Sequence, residues 1–184
     1  GIGSKFDLCA ERRCGCMILY HGTNCSIDKI DLDKCRPYKD FGKGFYLTTI
    51  REQAEKMAHR VARIYGGEPT VNVYEFDGIP TDLKVKRFES PTQDWAMFVI
   101  RNRNADTDPN PSYDHNFDHR YDIVVGPVAN DDLALLFRQF SNGMITVDML
   151  IREMEFKKLT DQYSFHTEEA TALLRKVDEY IVKR

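Results

Sequence analysis

The chain has 184 residues, the length of one ordinary domain with or without a short tail. Hydrophobic residues at 42% and charged residues at 30% supply a core and exclude wholesale disorder. With 26 basic against 29 acidic side chains, the formal charge of −3 argues against a generic nucleic-acid or membrane-surface binder.

All five cysteines fall within the first 35 residues, at Cys9, Cys14, Cys16, Cys25 and Cys35. A secreted disulfide scaffold spreads paired cysteines along its chain, so reduced thiols are expected. Zinc held by Cys9, Cys14 and Cys16 would need a second ligand arm, which the spacing does not supply. Residues 1–16 show little apolar periodicity and read as a leader, an alternative start or an extension, with residues 17–184 as a single domain. No run approaches a membrane span and the first twenty residues lack an apolar signal core, so a cytoplasmic address is expected.

Cys16 to His21 reads as a buried strand stopped by Gly22, and Gly44 to Thr48 as a second, short one. Ala54, Met57, Ala58, Val61 and Tyr65 fall at helical spacing, with Gly66-Gly67 as the stop. Val71 to Phe76 and Leu83 to Phe88 alternate as strands. Pro91 to Arg101 reads as a helix with Trp95, Phe98 and Val99 on one face, followed by an exposed polar loop from Asn102 to Arg120. Tyr121 to Val125 is a strand closed by Gly126-Pro127. Asn130 caps a helix through Phe140, and Thr146 caps another through Phe156. Asp161 to His166 reads as a strand. Thr167 then caps a last helix with Ala170, Leu173, Leu174, Val177 and Ile181 inward. Strands scattered among helices without regular alternation indicate an α+β fold. A Rossmann G-x-G-x-x-G after a strand and a P-loop are both absent.

Two strings carry chemistry: Tyr20-His21-Gly22-Thr23, and Asp40-Phe41-Gly42-Lys43-Gly44-Phe45-Tyr46-Leu47-Thr48. Each sets polar groups beside glycine at a strand end, where backbone N–H and C=O can approach a ligand closely. His21 and Thr23 can hydrogen-bond a sugar, and Tyr46 can stack on a heteroaromatic ring. Taken singly, the same residues also read as a satisfied core histidine, a core aromatic and ordinary turn glycines.

Together the strings resemble the ADP-ribosyltransferase superfamily, in its diphtheria-toxin and poly(ADP-ribose) polymerase branch, where H-G-[ST] on a first strand precedes F-G-K-G-[IF]-Y on a later one. From Met17 onward the chain is also similar to a small bacterial family that shares these strings, together with Tyr121 to Pro127 and Gln162 to Thr167. The resemblance implies split antiparallel sheets around an NAD cleft, with NAD as co-substrate and nicotinamide as leaving group. The ADP-ribose acceptor, protein or nucleic acid, is left open. It implies that Gly22 holds the nicotinamide carboxamide through its backbone. His21 would bond the adenosine ribose with Thr23 assisting, Tyr46 would stack on the nicotinamide, and Asp40, Phe41, Gly42 and Gly44 would line the site. Eleven residues beyond Tyr46, where a second aromatic is usual, stands Met57, which reads equally as a pocket wall or as plain helix core.

The third position departs from the pattern. Active relatives present a Glu on a late strand, whose carboxylate bonds the ribose 2′-OH and stabilises the oxocarbenium ion. Here Gln162 stands in that place. A unit charge about 4 Å from that cation is worth roughly 4 kcal/mol at an effective dielectric of about 20, or about a thousandfold in rate. Asp161 is expected on the opposite face of its strand, and Glu168 and Glu169 read as first-turn helix residues. Asp40 is the better substitute or an acceptor-positioning group. His115 and His119, with Asp114 and Asp118, have i,i+4 spacing that would suit a metal only on a helix, and they fall in the polar loop. Arg101 and Arg103 could steer the NAD diphosphate or simply be solvated at a helix end. The expectation is a mono-ADP-ribosyltransferase with His21, Tyr46 and Gln162 as its catalytic set, acting as a toxin, a defence factor or a modifier of a host target. The alternative is an NAD or ADP-ribose binding module that has lost its carboxylate.

Overall fold

The computed structural model describes residues 16–107, 113–155, 157 and 159–183. Along the chain run β1 (Met17–Thr23), β2 (Phe45–Leu47), α1 (Arg51–Tyr65), β3 (Thr70–Phe76), β4 (Val85–Arg87) and α2 (Gln93–Arg103). Then follow β5 (Ile123–Pro127), α3 (Asp131–Ser141), α4 (Val147–Met154), β6 (Asp161–Phe165), α5 (Glu168–Thr171) and β7 (Leu174–Ile181). The expected α+β fold is what these elements make. One sheet has the order β1-β3-β7 and the other β2-β6-β5-β4, with every pair antiparallel except β4–β5.

Alternation along the strands sorts the apolar residues into three layers. Ile18, Tyr20, Val71 and Val73 pack under Ala54 and Ala58 of α1. Leu19, Tyr74 and Phe76 face the other way, onto Phe45, Leu47, Ile123, Val125 and Phe165 of the second sheet. The far face of that sheet presents Val124 to an aromatic core of Phe41, Phe88, Trp95, Phe98 and Phe137, closed by Leu133 and Leu150. The order is therefore helix, sheet, sheet, helices. Helices α2, α3 and α4 start on Thr92, Asn130 and Thr146, whose side chains accept from Trp95, Leu133 and Met149 N–H groups. Among the described residues no helix is long and apolar enough to cross a membrane.

Two expectations are corrected. The helix capped by Thr167 ends at Thr171, and residues Leu174–Ile181 form β7 along the full length of β3. β3 is buried at six of its seven positions and needs a partner on both edges. Val177 and Ile181, expected inward, are exposed. The polar loop after α2 is irregular as expected, but its centre is not exposed: His115 and Asn116 are fully buried. The proposed leader, with Cys9 and Cys14, lies outside the described residues except for Cys16, and so does Phe156. Cys16, Cys25 and Cys35 are free thiols.

Candidate functional site

Among the described residues a single backbone bridge joins the two sheets, where Tyr20 and Thr48 exchange both backbone hydrogen bonds at 2.8 and 2.9 Å. Continued two residues further, this antiparallel register would set Gly22 of β1 opposite Tyr46 of β2. The ladder stops there. The His21 imidazole takes the Tyr46 carbonyl oxygen, with Nδ1 at 2.6 Å, and stacks on the Phe45 ring at 4.0 Å. Backbone direction alternates along a strand, so the N–H and C=O of Gly22 point to the same side as those of Tyr20, away from β3. Among the described residues neither group has a partner beyond the β1–β3 ladder. A notch results, with one backbone donor and one acceptor side by side. Gly22 is glycine for a second reason: a Cβ there would lie 1.9 Å from the Ala54 carbonyl oxygen, where α1 crosses the strand.

His21 donates Nδ1–H to Tyr46, which leaves Nε2 as an acceptor without a partner among the described residues. Burial, opposed by the Tyr46 hydrogen bond and aided by the Lys39 charge, lowers its pKa to about 4, so the ring is neutral at pH 7. Behind Tyr46 the buried His166 is also held neutral, its pKa lowered to about 4 chiefly by burial. Its Nδ1–H donates to the Lys43 carbonyl at 2.8 Å, and Nε2 accepts the Ser164 hydroxyl at 2.7 Å. Folding lowers these pKa values, so on acidification the unfolded chain takes up the protons first. Stability is expected to be full above pH 6.5 and to fall towards pH 4, with a limiting slope of about 1.4 kcal/mol per pH unit for His166 and less for the half-buried His21. Urea titrations at pH 7, 6 and 5 read this slope directly; equal midpoints would contradict it.

The loop Asp40–Gly42 forms the wall of the notch beyond Tyr46. The Tyr46 hydroxyl accepts from the Phe41 N–H at 3.0 Å and donates to the Gly42 carbonyl at 2.5 Å, and burial raises its pKa well above 10. Gly42 has φ +92°, and a Cβ on it would lie 2.5 Å from the Asn116 carbonyl, so glycine is required. Gly44 lies over the His166 ring. Two buried asparagines hold the loop from behind. Asn102 donates to the Asp40 carbonyl at 2.9 Å and accepts the Asn116 N–H at 2.7 Å, while Asn116 donates to the Phe41 carbonyl at 2.9 Å. Asn116→Ala is expected to destabilise the fold by about 3 kcal/mol, because the Phe41 carbonyl and the Tyr121 N–H lose their buried partners. Thermal unfolding of the variant measures this; an unchanged midpoint would mean that the clamp contributes nothing.

Asp40 and Gln162 meet here. Gln162 and Tyr46 lie on one face of the second sheet, as the register Tyr46↔Ser164 requires, and the Gln162 amide Nε2 donates to Asp40 Oδ2 at 3.3 Å. Asp161 falls on the opposite face by alternation, as expected. The other Asp40 oxygen is covered by Arg103, with Nη2 at 2.6 Å and Nε at 2.8 Å. Because the carboxylate only accepts, Gln162 must turn its NH2 to Asp40 and its carbonyl oxygen outward.

The remaining sequence candidates divide. Thr23 ends β1 and makes only a weak contact with Asn24, at 3.4 Å. Met57 is 43% exposed, which removes the reading as helix core. Arg103 is committed to Asp40, and Arg101 to the Asp114 carbonyl and the Tyr113 ring, so neither is free to steer a diphosphate. His115 is stacked on Phe117 and faces the Arg120 guanidinium at 2.7 Å. Among the described residues no group of three or more His, Cys, Asp or Glu side chains is placed to hold a metal ion. A cavity of about 550 Å³ beyond the end of β1, lined by Asn24, Cys25, Thr70 and Glu179, includes none of the notch residues. Sequence reasoning missed Asn102, Asn116 and His166, whose burial comes from contacts distant along the chain.

A family model described as a protein of unknown function (DUF3990) matches residues 17–175, and the chain belongs to that family. No curated protein and no solved structure matches the chain.

Proposed function

We propose that this member of the DUF3990 family is an NAD-dependent mono-ADP-ribosyltransferase, which passes ADP-ribose from NAD to a macromolecular acceptor and releases nicotinamide. The observation that carries this reading is the interrupted ladder between β1 and β2, with the N–H and C=O of Gly22 lacking a cross-strand partner beside Tyr46 among the described residues. A primary carboxamide presents one acceptor and one donor in a plane, which is the complement of that pair. The resemblance of the His21-Gly22-Thr23 and Phe41-to-Tyr46 strings to the ADP-ribosyltransferase superfamily points the same way, as does the split between the two sheets.

In this reading the nicotinamide ring packs on Tyr46 with its carboxamide on Gly22. The outward oxygen of Gln162 accepts the 2′-OH of the adjoining ribose, and neutral His21 offers Nε2 to a hydroxyl of the adenosine ribose. The bond between ribose C1′ and the nicotinamide nitrogen breaks with its electron pair going to nitrogen, so nicotinamide leaves neutral and the ribose carries oxocarbenium charge. Asp40, through its hydrogen bond to Gln162, makes the amide oxygen more electron-rich and supplies the negative charge that an amide alone lacks. The acceptor nucleophile then attacks C1′ and loses its proton.

A second reading, an NAD or ADP-ribose binding module, draws on the amide at Gln162 in place of a carboxylate. Incubation of the full chain with a lysate and NAD labelled in its adenosine half separates the two. Label on a macromolecule together with free nicotinamide is expected for the transferase. NAD that raises the melting temperature without nicotinamide release would favour the module.

A further inference from the structure

We propose that Lys39, with Arg36 and Arg60 behind it, is a binding site for a diphosphate at the mouth of the notch. Lys39 is half-buried, with its Nζ 5.3 Å from the centre of the Tyr46 ring. Among the described residues no carboxylate lies within ion-pair distance of it and no hydrogen-bond acceptor is in reach. The adjacent Asp40 is turned away, with one oxygen on Arg103 and the other facing Gln162 and the Ala129 N–H. Arg36 lies on the same loop and stacks over Tyr65 at the end of α1, at 3.8 Å, which ties the loop to that helix. Arg60 projects from the same helix and makes an exposed 3.7 Å pair with Asp131. Burial and the fields of Arg36 and Arg60 hold the Lys39 pKa below its ordinary value, with Asp40 opposing.

An ammonium withdrawn from water without a counter-ion is unfavourable, and two more cations beside it make it worse. A chain with a net negative charge that leaves this ammonium without a counter-ion between its loop and α1 leaves an electrostatic gain for an anion to realise. A diphosphate suits the set, because guanidinium forks take its oxygens in pairs and the ammonium acts as a point charge. Lys39 is also the side chain over the Tyr46 ring. A cationic pyridinium entering the notch would have to displace that ammonium, and a diphosphate attached to the same ligand draws it outward. The assignment to the diphosphate of NAD rests on the transferase reading; the anion site itself does not.

The test is calorimetric titration of the full-length chain, Lys39→Met and Lys39→Arg with inorganic pyrophosphate, ADP-ribose, NAD and free nicotinamide. Lys39→Met is expected to weaken pyrophosphate, ADP-ribose and NAD about tenfold to a hundredfold, while nicotinamide affinity holds or improves and Lys39→Arg stays close to the parent. Pyrophosphate or ADP-ribose binding that is equal in the parent and Lys39→Met would overturn the proposal, and so would no pyrophosphate binding to the parent. If NAD binds equally well to Lys39→Met, the transferase reading survives and the Lys39 site does not. If pyrophosphate binding depends on Lys39 while NAD and nicotinamide do not bind, the anion site survives and the NAD reading fails. Tighter Lys39-dependent binding of a single-stranded oligonucleotide than of pyrophosphate would contradict the small-ligand assignment.

Discussion

Asp40→Asn should slow nicotinamide release from NAD by up to about a hundredfold while changing NAD affinity far less. The carboxylate touches the Gln162 amide, so in the proposed geometry it stands one group behind the ribose. A unit charge about 6 Å from a developing cation is worth about 3 kcal/mol at an effective dielectric of about 20, which corresponds to about a hundredfold in rate. Arg103 offsets part of that charge, which makes this figure an upper bound. The effect belongs in kcat, because the oxocarbenium charge exists only in the transition state. Gln162→Glu sharpens the test. Its new carboxylate would face Asp40 at contact distance, so like-charge repulsion would offset part of what the added charge contributes and the gain in rate would be modest. A full rate in Asp40→Asn, or a large gain in Gln162→Glu at neutral pH, would show that Asp40 does not supply the missing charge.

Gly22→Ala tests the scaffold of the notch. Its methyl would be 1.9 Å from the Ala54 carbonyl oxygen, 2.8 Å from the carbonyl carbon and 2.9 Å from the Ala58 nitrogen. All three are helix backbone atoms, which cannot rotate aside as a side chain does. Helix α1 must move off the sheet, opening the layer of Ala54, Ala58, Val71 and Val73. The expected loss is about 3 kcal/mol or more, the upper range for overpacking a core. Ligand binding should fall with it. Denaturant unfolding of the variant measures the first effect, and a stability equal to the parent's would mean that the strand and helix approach less closely than described.

What the sequence made legible follows the range of the interactions involved. Helix caps are local, and Asn130, Thr146 and Thr167 each bond the N–H three residues on, as read from residue type alone. The glycine strings located β1, β2 and the loop between them, because close backbone approach demands glycine whatever surrounds it. The β7 segment reads as helix because Ala170, Leu173, Leu174, Val177 and Ile181 happen to fall at helical spacing, while the interaction that decides its state is pairing with β3, about a hundred residues earlier. The contact of Gln162 with Asp40 spans 122 positions and that of Asn116 with Phe41 spans 75. No periodicity reports such a contact. Lys39 stands one residue before the quoted Asp40 string and takes no role in the sequence reading, because its want of a counter-ion is a property of the folded surroundings and not of the residue.

The measurement that bears most directly on the central claim is nicotinamide release, followed by chromatography, when the purified full chain is incubated with NAD. The account predicts nicotinamide above the uncatalysed background, competed by added nicotinamide. It also predicts a fall in Tyr46→Ala, whose lost stacking is worth about 1–3 kcal/mol. No nicotinamide above background, with no NAD bound to the parent chain, would contradict it.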